Sequence, residues 1–238
     1  MTEIYDKVTE KVKTFIEDSE ASVFGFCDLG KINNLPFPKL TTGISLGISL
    51  NPKIVLSLKN GPDKSYVSEW ESVNKRLHYL SESICQFLRE EGYNADFIPA
   101  SKTINDPDNL FAEFPHKTAA TNAGLGWIGK CALLITKEYG PALRLITVFT
   151  NAPLSCGIPV TKSYCGDCEE CKLACPAGAV SGKEWSPEIF RDEFLDSHRC
   201  FEYSRTRGES AGFNHGICGI CVASCRWTNK YLKREGLL

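Results

Sequence analysis

The sequence predicts an α/β (α+β) N-terminal unit followed by a small cysteine-rich unit. Helical and strand periodicities alternate from the N-terminus to Thr150. The composition then shifts near residues 153–161, where cysteine, glycine and short helices take over. Eight of the twelve cysteines follow, between Cys165 and Cys225. The expected division is residues 1–155 and residues 156–238.

Ile4, Val8, Val12, Phe15 and Ile16 share one face of a helix over residues 3–18. Residues 22–29 read as a strand, and residues 43–50 alternate as a second. Pro52 interrupts, and residues 54–58 continue extended. A long helix runs from about Asp63 to Glu91. Its apolar face carries Val67, Trp70, Val73, Leu77, Leu80 and Ile84, and Gly92 is a natural stop. Residues 96–100 suit a short strand. Residues 101–116 are polar, proline-containing and aperiodic, which marks a long loop. The segment 119–130 holds Gly124, Gly126 and Gly129. Strands over 131–136 and 144–150 follow, joined through Gly140 and Pro141.

Composition narrows the function classes. The 238 residues are 42% hydrophobic and 24% charged, which suits a folded chain with a real core. A net charge of -2 gives no basic footprint, so no nucleic-acid partner is expected. No apolar run is long enough to span a bilayer, and the first residues lack a signal-peptide pattern. No membrane partner and a cytoplasmic location are the expectation. Oligomeric state stays open.

The cysteines carry the chemistry. Cys165, Cys168, Cys171 and Cys175, followed by Pro176, form C-x2-C-x2-C-x3-C-P. Two-residue gaps let three thiolates wrap one face of a 4Fe-4S cubane, and the fourth ligates a second cluster. A structural zinc site uses C-x2-C pairs but leaves cysteines over. Cys218, Cys221 and Cys225 repeat the x2 and x3 gaps without the first cysteine. One more ligand is needed, from Cys200 or His215. Thiolate is the usual ligand, which favours Cys200. One cluster then takes Cys165, Cys168, Cys171 and Cys225. The other takes Cys175, Cys200, Cys218 and Cys221. Cys27, Cys85 and Cys131 read as small buried hydrophobes, with Cys156 less defined.

Gly124-Leu-Gly-Trp-Ile-Gly-Lys130, then Leu133-Leu-Ile135, Thr150-Asn-Ala-Pro-Leu154 and the cysteine runs resemble the epoxyqueuosine reductase family. Tyr139-Gly-Pro-Ala-Leu-Arg144 also resembles the related cobalamin-dependent reductive dehalogenases. The resemblance runs from about Thr42 to Trp227. It implies a nitroreductase-like N-terminal domain that binds cobalamin, followed by a bacterial ferredoxin-like domain with two 4Fe-4S clusters. It implies the ligand partition above, Cys200 included. It places Gly124, Gly126, Trp127, Ile128, Gly129 and Lys130 against the cofactor, the glycines allowing close backbone approach. Lys130 would face the pocket as a charge or proton donor, with His116 and Lys117 as further candidate acids.

The chain departs from the family pattern. The aspartate of the tRNA-modifying members would fall on Leu110, and Asp106, Asp108 and Glu113 do not fit its place. The helical-repeat tail of those members and the twin-arginine leader of the dehalogenases are also not seen. The dehalogenases use a tyrosine acid, for which Tyr93, Tyr139 and Tyr203 are available. The expected function is a reductase of a small molecule, fed by a ferredoxin, flavodoxin or reductase. The alternative is an electron-transfer protein that serves a partner and has no substrate of its own.

Overall fold

A computed structural model describes residues 2–101, 110–210, 212–213 and 216–238, with side chains from Asp6 onward. The side chains of Ile4, Asp106, Asp108 and His215 lie outside the described residues.

Helix α1 spans Thr2–Glu17, strand β1 Val23–Asp28 and strand β2 Thr42–Ser49. Helix α2 covers Pro52–Ser57 and helix α3 Lys64–Glu90. Strand β3 is Ala95–Ile98, and helix α4 is His116–Asn122. The short strands β4, Trp127–Ile128, and β5, Leu134–Ile135, precede strand β6, Leu143–Thr150. Helices α5 (Glu170–Leu173), α6 (Ser197–Ser210), α7 (Ile220–Ser224) and α8 (Arg226–Arg234) complete the chain.

Four strands form the main sheet in the order β1-β2-β6-β3, every pair antiparallel. The architecture is therefore mixed, on the α+β side. Ile44, Leu46 and Ile48 of β2 join Ile146 and Val148 of β6 under Leu77 and Ile84 of α3. That same apolar cluster takes Val222, Ala223, Tyr231 and Leu232 from α7 and α8. The Tyr231 hydroxyl donates to the Leu50 carbonyl at 3.0 Å. At the start of α7, Gly219 adopts φ 80, and an added Cβ would meet Leu58 at 3.0 Å and the Tyr66 ring at 3.3 Å. Only glycine combines that conformation with so close an approach.

Two local expectations are corrected. Residues 54–58 are not extended, because Asn51 caps a helix there. Its side chain accepts from the Lys53 amide at 3.0 Å, and Pro52 sits where a missing N–H does no harm. Of the expected strand over 131–136, Leu134 and Ile135 pair with Trp127 and Ile128 in a hairpin apart from the main sheet, and Thr136 forms an isolated bridge with Gly140. The preceding residues close a turn, with the Ala132 amide donating to Gly129 and Ala132 at φ 60.

Asp63 caps α3, accepting from the Tyr66 amide at 3.0 Å. Its carboxyl is held below the ordinary range, first by the Ser65 hydroxyl and then by the Tyr66 amide. The ionised form is the one that caps, so this stability is present above the unfolded pKa and is lost as pH falls through the folded one. Asp63→Ala should remove about 1 kcal/mol. That is a fall in Tm of roughly 2–4 °C for a chain of this size, read by thermal unfolding near neutral pH.

Candidate functional site

Two cavities meet at one side chain, Cys131. The smaller, about 20 Å³, is ringed by Cys165, Cys168, Cys171 and Cys225. The larger, about 420 Å³, has Cys175, Cys200, Cys218 and Cys221 in its wall. Cys131 lines both, is buried, and sits in hydrogen-bond contact with Cys171 on one side and Cys221 on the other.

Local structure delivers each thiol. A turn donates the Cys168 amide to the Cys165 carbonyl, and α5 then carries Cys171. The Cys175 sulfur accepts from the Ala179 amide at 3.4 Å. Cys200 lies in the first turn of α6, and Cys225 stands between α7 and α8. None of the twelve cysteines forms a disulfide. Burial is the main cause that pushes Cys200 and Cys225 up to about 11, and neighbouring thiols add to it. Among the described residues no three donors converge closely enough to hold a single metal ion.

The larger cavity is apolar apart from a few polar groups. Tyr66 and Trp70, one turn apart on α3, line it beside Lys117 of α4, Arg144 of β6 and Arg191. Arg144 lies over the Trp70 ring at 5.1 Å and donates to Asn74 at 2.9 Å and Ser101 at 2.6 Å. Burial pushes the Tyr66 hydroxyl up to about 12, while the Arg144 charge opposes the shift. Lys117 donates to the Ala132 carbonyl at 2.8 Å. Burial, then the Arg191 charge, bring it down to about 8. No aspartate or glutamate among the described residues lines this cavity. The site can therefore offer protons from a phenol and an ammonium beside a ring of thiols.

No family model matches the chain. A tetrachloroethene reductive dehalogenase of Sulfurospirillum multivorans is 27% identical over 199 residues, covering 78% of this chain and 35% of the relative. An epoxyqueuosine reductase of Atelocyanobacterium thalassa is 31% identical over 131 residues, covering 51% of this chain and 40% of the relative. The chain is a relative of both enzymes. It spans less than half the length of either. A solved reductive dehalogenase, described with a mechanism for B12-dependent dehalogenation, shares the fold at TM-score 0.72 and 20% identity. It matches 96% of this chain and 33% of that one. An epoxyqueuosine reductase solved with a tRNA stem loop shares it at TM-score 0.65 and 15% identity, over 94% of this chain and 66% of that one. No helix among the described residues is long and apolar enough to cross a membrane.

In this relative of the two reductases, the residues expected at the site do not all line the larger cavity. Gly124, Gly126, Trp127, Ile128, Gly129 and Lys130 do not line the larger cavity. A Cβ on Gly124 would meet the Ile158 carbonyl at 2.8 Å, and one on Gly126 the Ile135 carbonyl at 2.1 Å. These glycines admit the chain's own backbone. Gly129 and Lys130 line the small cavity instead. Of the candidate acids, Lys117 reaches the larger cavity and His116 does not. Tyr139 stacks edge-on against Tyr231, away from it, whereas Tyr203 lines it. Tyr66, Arg144 and Arg191 are additions that sequence reasoning missed. Tyr66 precedes the first apolar position of the long helix, and nothing in its spacing marked it.

His116 bridges Thr147 at 3.1 Å and the Pro99 carbonyl at 3.2 Å, so both ring nitrogens are engaged. Burial holds its pKa down at about 4. The unfolded chain then binds the extra proton first, and stability falls as pH drops from about 6.5 towards 4. Histidine ring shifts followed by NMR should show His116 neutral at pH 6, and His116→Gln should flatten the stability profile over that window.

Proposed function

We propose that the chain is an iron–sulfur, cobalamin-dependent reductase of a small molecule, with electrons passing through two 4Fe-4S clusters. The observation that carries this reading is the sorting of eight cysteines into two rings of four, the second opening into a cavity of about 420 Å³. Sequence relationship to two kinds of reductase supports it.

The residues present fit the clusters. Each ring offers four thiols in a mostly apolar setting. The indole Nε1 groups of Trp127 and Trp227 are buried among the first-ring cysteines and have no acceptor in the protein. A buried N–H without a partner is costly, and cluster sulfur accepts such bonds. The larger cavity suits a flat, largely apolar group beside the second ring. Leu110, Ala132, Leu133, Leu143 and Phe201 would hold it, in place of residues 124–130. Bound there, clusters and corrinoid supply single-electron reduction at a cobalt centre.

The chain's own residues do the rest. Tyr66 keeps its proton at neutral pH and can deliver it to a developing negative charge. The Arg144 guanidinium beside it stabilises the phenolate left behind. Lys117, with its pKa near 8, can replace that proton. Apolar walls exclude water and strengthen each of these interactions. On this reading residues 1–155 form a nitroreductase-like cofactor unit and residues 156–238 a ferredoxin-like one, at work in the cytoplasm. A ferredoxin, flavodoxin or reductase would deliver the electrons. A small molecule is the substrate we favour, although one structural neighbour is seen with a tRNA stem loop.

Purification without oxygen, after growth with cobalamin, should give about eight irons and one cobalt per chain. EPR before and after dithionite would report both. The same iron without cobalt, even after added cobalamin, would sink the reductase reading and leave an electron-transfer protein. Cys200→Ser should lower the iron towards half, while Cys131→Ser should keep it all.

A further inference from the structure

We infer that Lys130 is the built-in counter-charge of the first cluster, a positioning residue that favours its reduced state. The inference rests on the cluster reading above. Lys130 follows the strand β4 and is only 5% exposed. Its ammonium donates to two main-chain carbonyls, Gly166 at 2.7 Å and Cys168 at 3.1 Å. Both belong to the loop that carries the first two cysteines of the first ring. Lys130 also lines the small cavity together with Cys165, Cys168, Cys171 and Cys225.

The charge has no carboxylate within ion-pair distance among the described residues. Glu169 feels the Lys130 charge, but its carboxylate is engaged first by Lys172 at 2.7 Å, and Glu170, which lines the same cavity, is exposed. Carbonyl oxygens satisfy the ammonium's hydrogen bonds, and its charge is opposed only weakly by a carboxylate already paired with another lysine. A buried charge is tolerated when something of opposite sign stands close by. A cubane held by four thiolates carries net negative charge, and one-electron reduction makes that charge larger. A fixed positive charge therefore stabilises the reduced cluster more than the oxidised one. The two hydrogen bonds hold the Cys165–Cys168 loop in place at the same time, so one side chain couples loop geometry to redox poise.

The test is an EPR-monitored redox titration of the anaerobic holoprotein. Lys130→Met should make one of the two clusters harder to reduce, by about tenfold in its reduced-to-oxidised ratio at fixed potential, or about 59 mV for one electron. The other cluster should titrate as before. Lys130→Arg should restore the wild-type value, and Lys137→Met, an exposed charge removal, should leave both clusters unchanged. Loss of half the iron in Lys130→Met with full iron in Lys130→Arg supports the same role. Wild-type potentials for both clusters in Lys130→Met overturn it. So does loss of iron in Lys130→Met and Lys130→Arg alike, which would make the role one of shape. Wild-type protein without iron fails the cluster reading itself, and that is seen before any variant is made.

Discussion

The burial of α7 and α8 in the core of the sheet unit is the contact on which the site depends. The two cysteine runs are far apart in sequence, and each ring of four draws on both. Val222 and Ala223, packed with Leu232 under the same apolar cluster as β2 and β6, fix where Cys218, Cys221 and Cys225 stand. The Tyr231 hydroxyl on the Leu50 carbonyl and the tight seat of Gly219 on Leu58 and Tyr66 set the depth of that docking. Apolar burial supplies the energy, while the hydrogen bond and the glycine supply the register. Helix α5 faces α7 across the gap, so the first run is brought to the second by the same packing.

Electrostatics then distinguish the two cavities. The small one is closed round by its cysteines, with the Lys130 ammonium tied to backbone. The large one is open enough for a ligand and has cationic groups on a mostly apolar wall. Tyr66 and Arg144 line it from α3 and β6 rather than from a loop. Groups on packed elements keep their geometry, which suits the chemistry proposed above.

The clearest part of the site in the sequence was the part whose spacing is local. C-x2-C-x2-C-x3-C-P is a pattern of near neighbours, so four thiols could be picked out without any fold. Cys200 was singled out by counting ligands for a second run one short, and it stands in the wall of the large cavity with Cys175, Cys218 and Cys221. The long helix from Asp63 was legible from its periodicity and its cap. Residues 54–58 were not, because an Asn-Pro start overrode a β-branched, apolar run. The glycines of residues 124–129 were expected to let backbone approach a cofactor, and a sequence does not say what approaches. Here the partners are the backbones of Ile135 and Ile158. Tyr66 and Arg144 were hidden for a related reason. Which face of a helix or strand meets a cavity is decided by elements distant in the chain.

One buried thiol, Cys131, lines both cavities. A shared side chain of this kind treats different traffic differently. Water, oxygen and substrate need an opening to pass, and a packed side chain offers none where it stands. On the proposed two-cluster reading an electron needs no opening, because it can tunnel through packed protein. What the cavities share would then hinder matter and still let charge through.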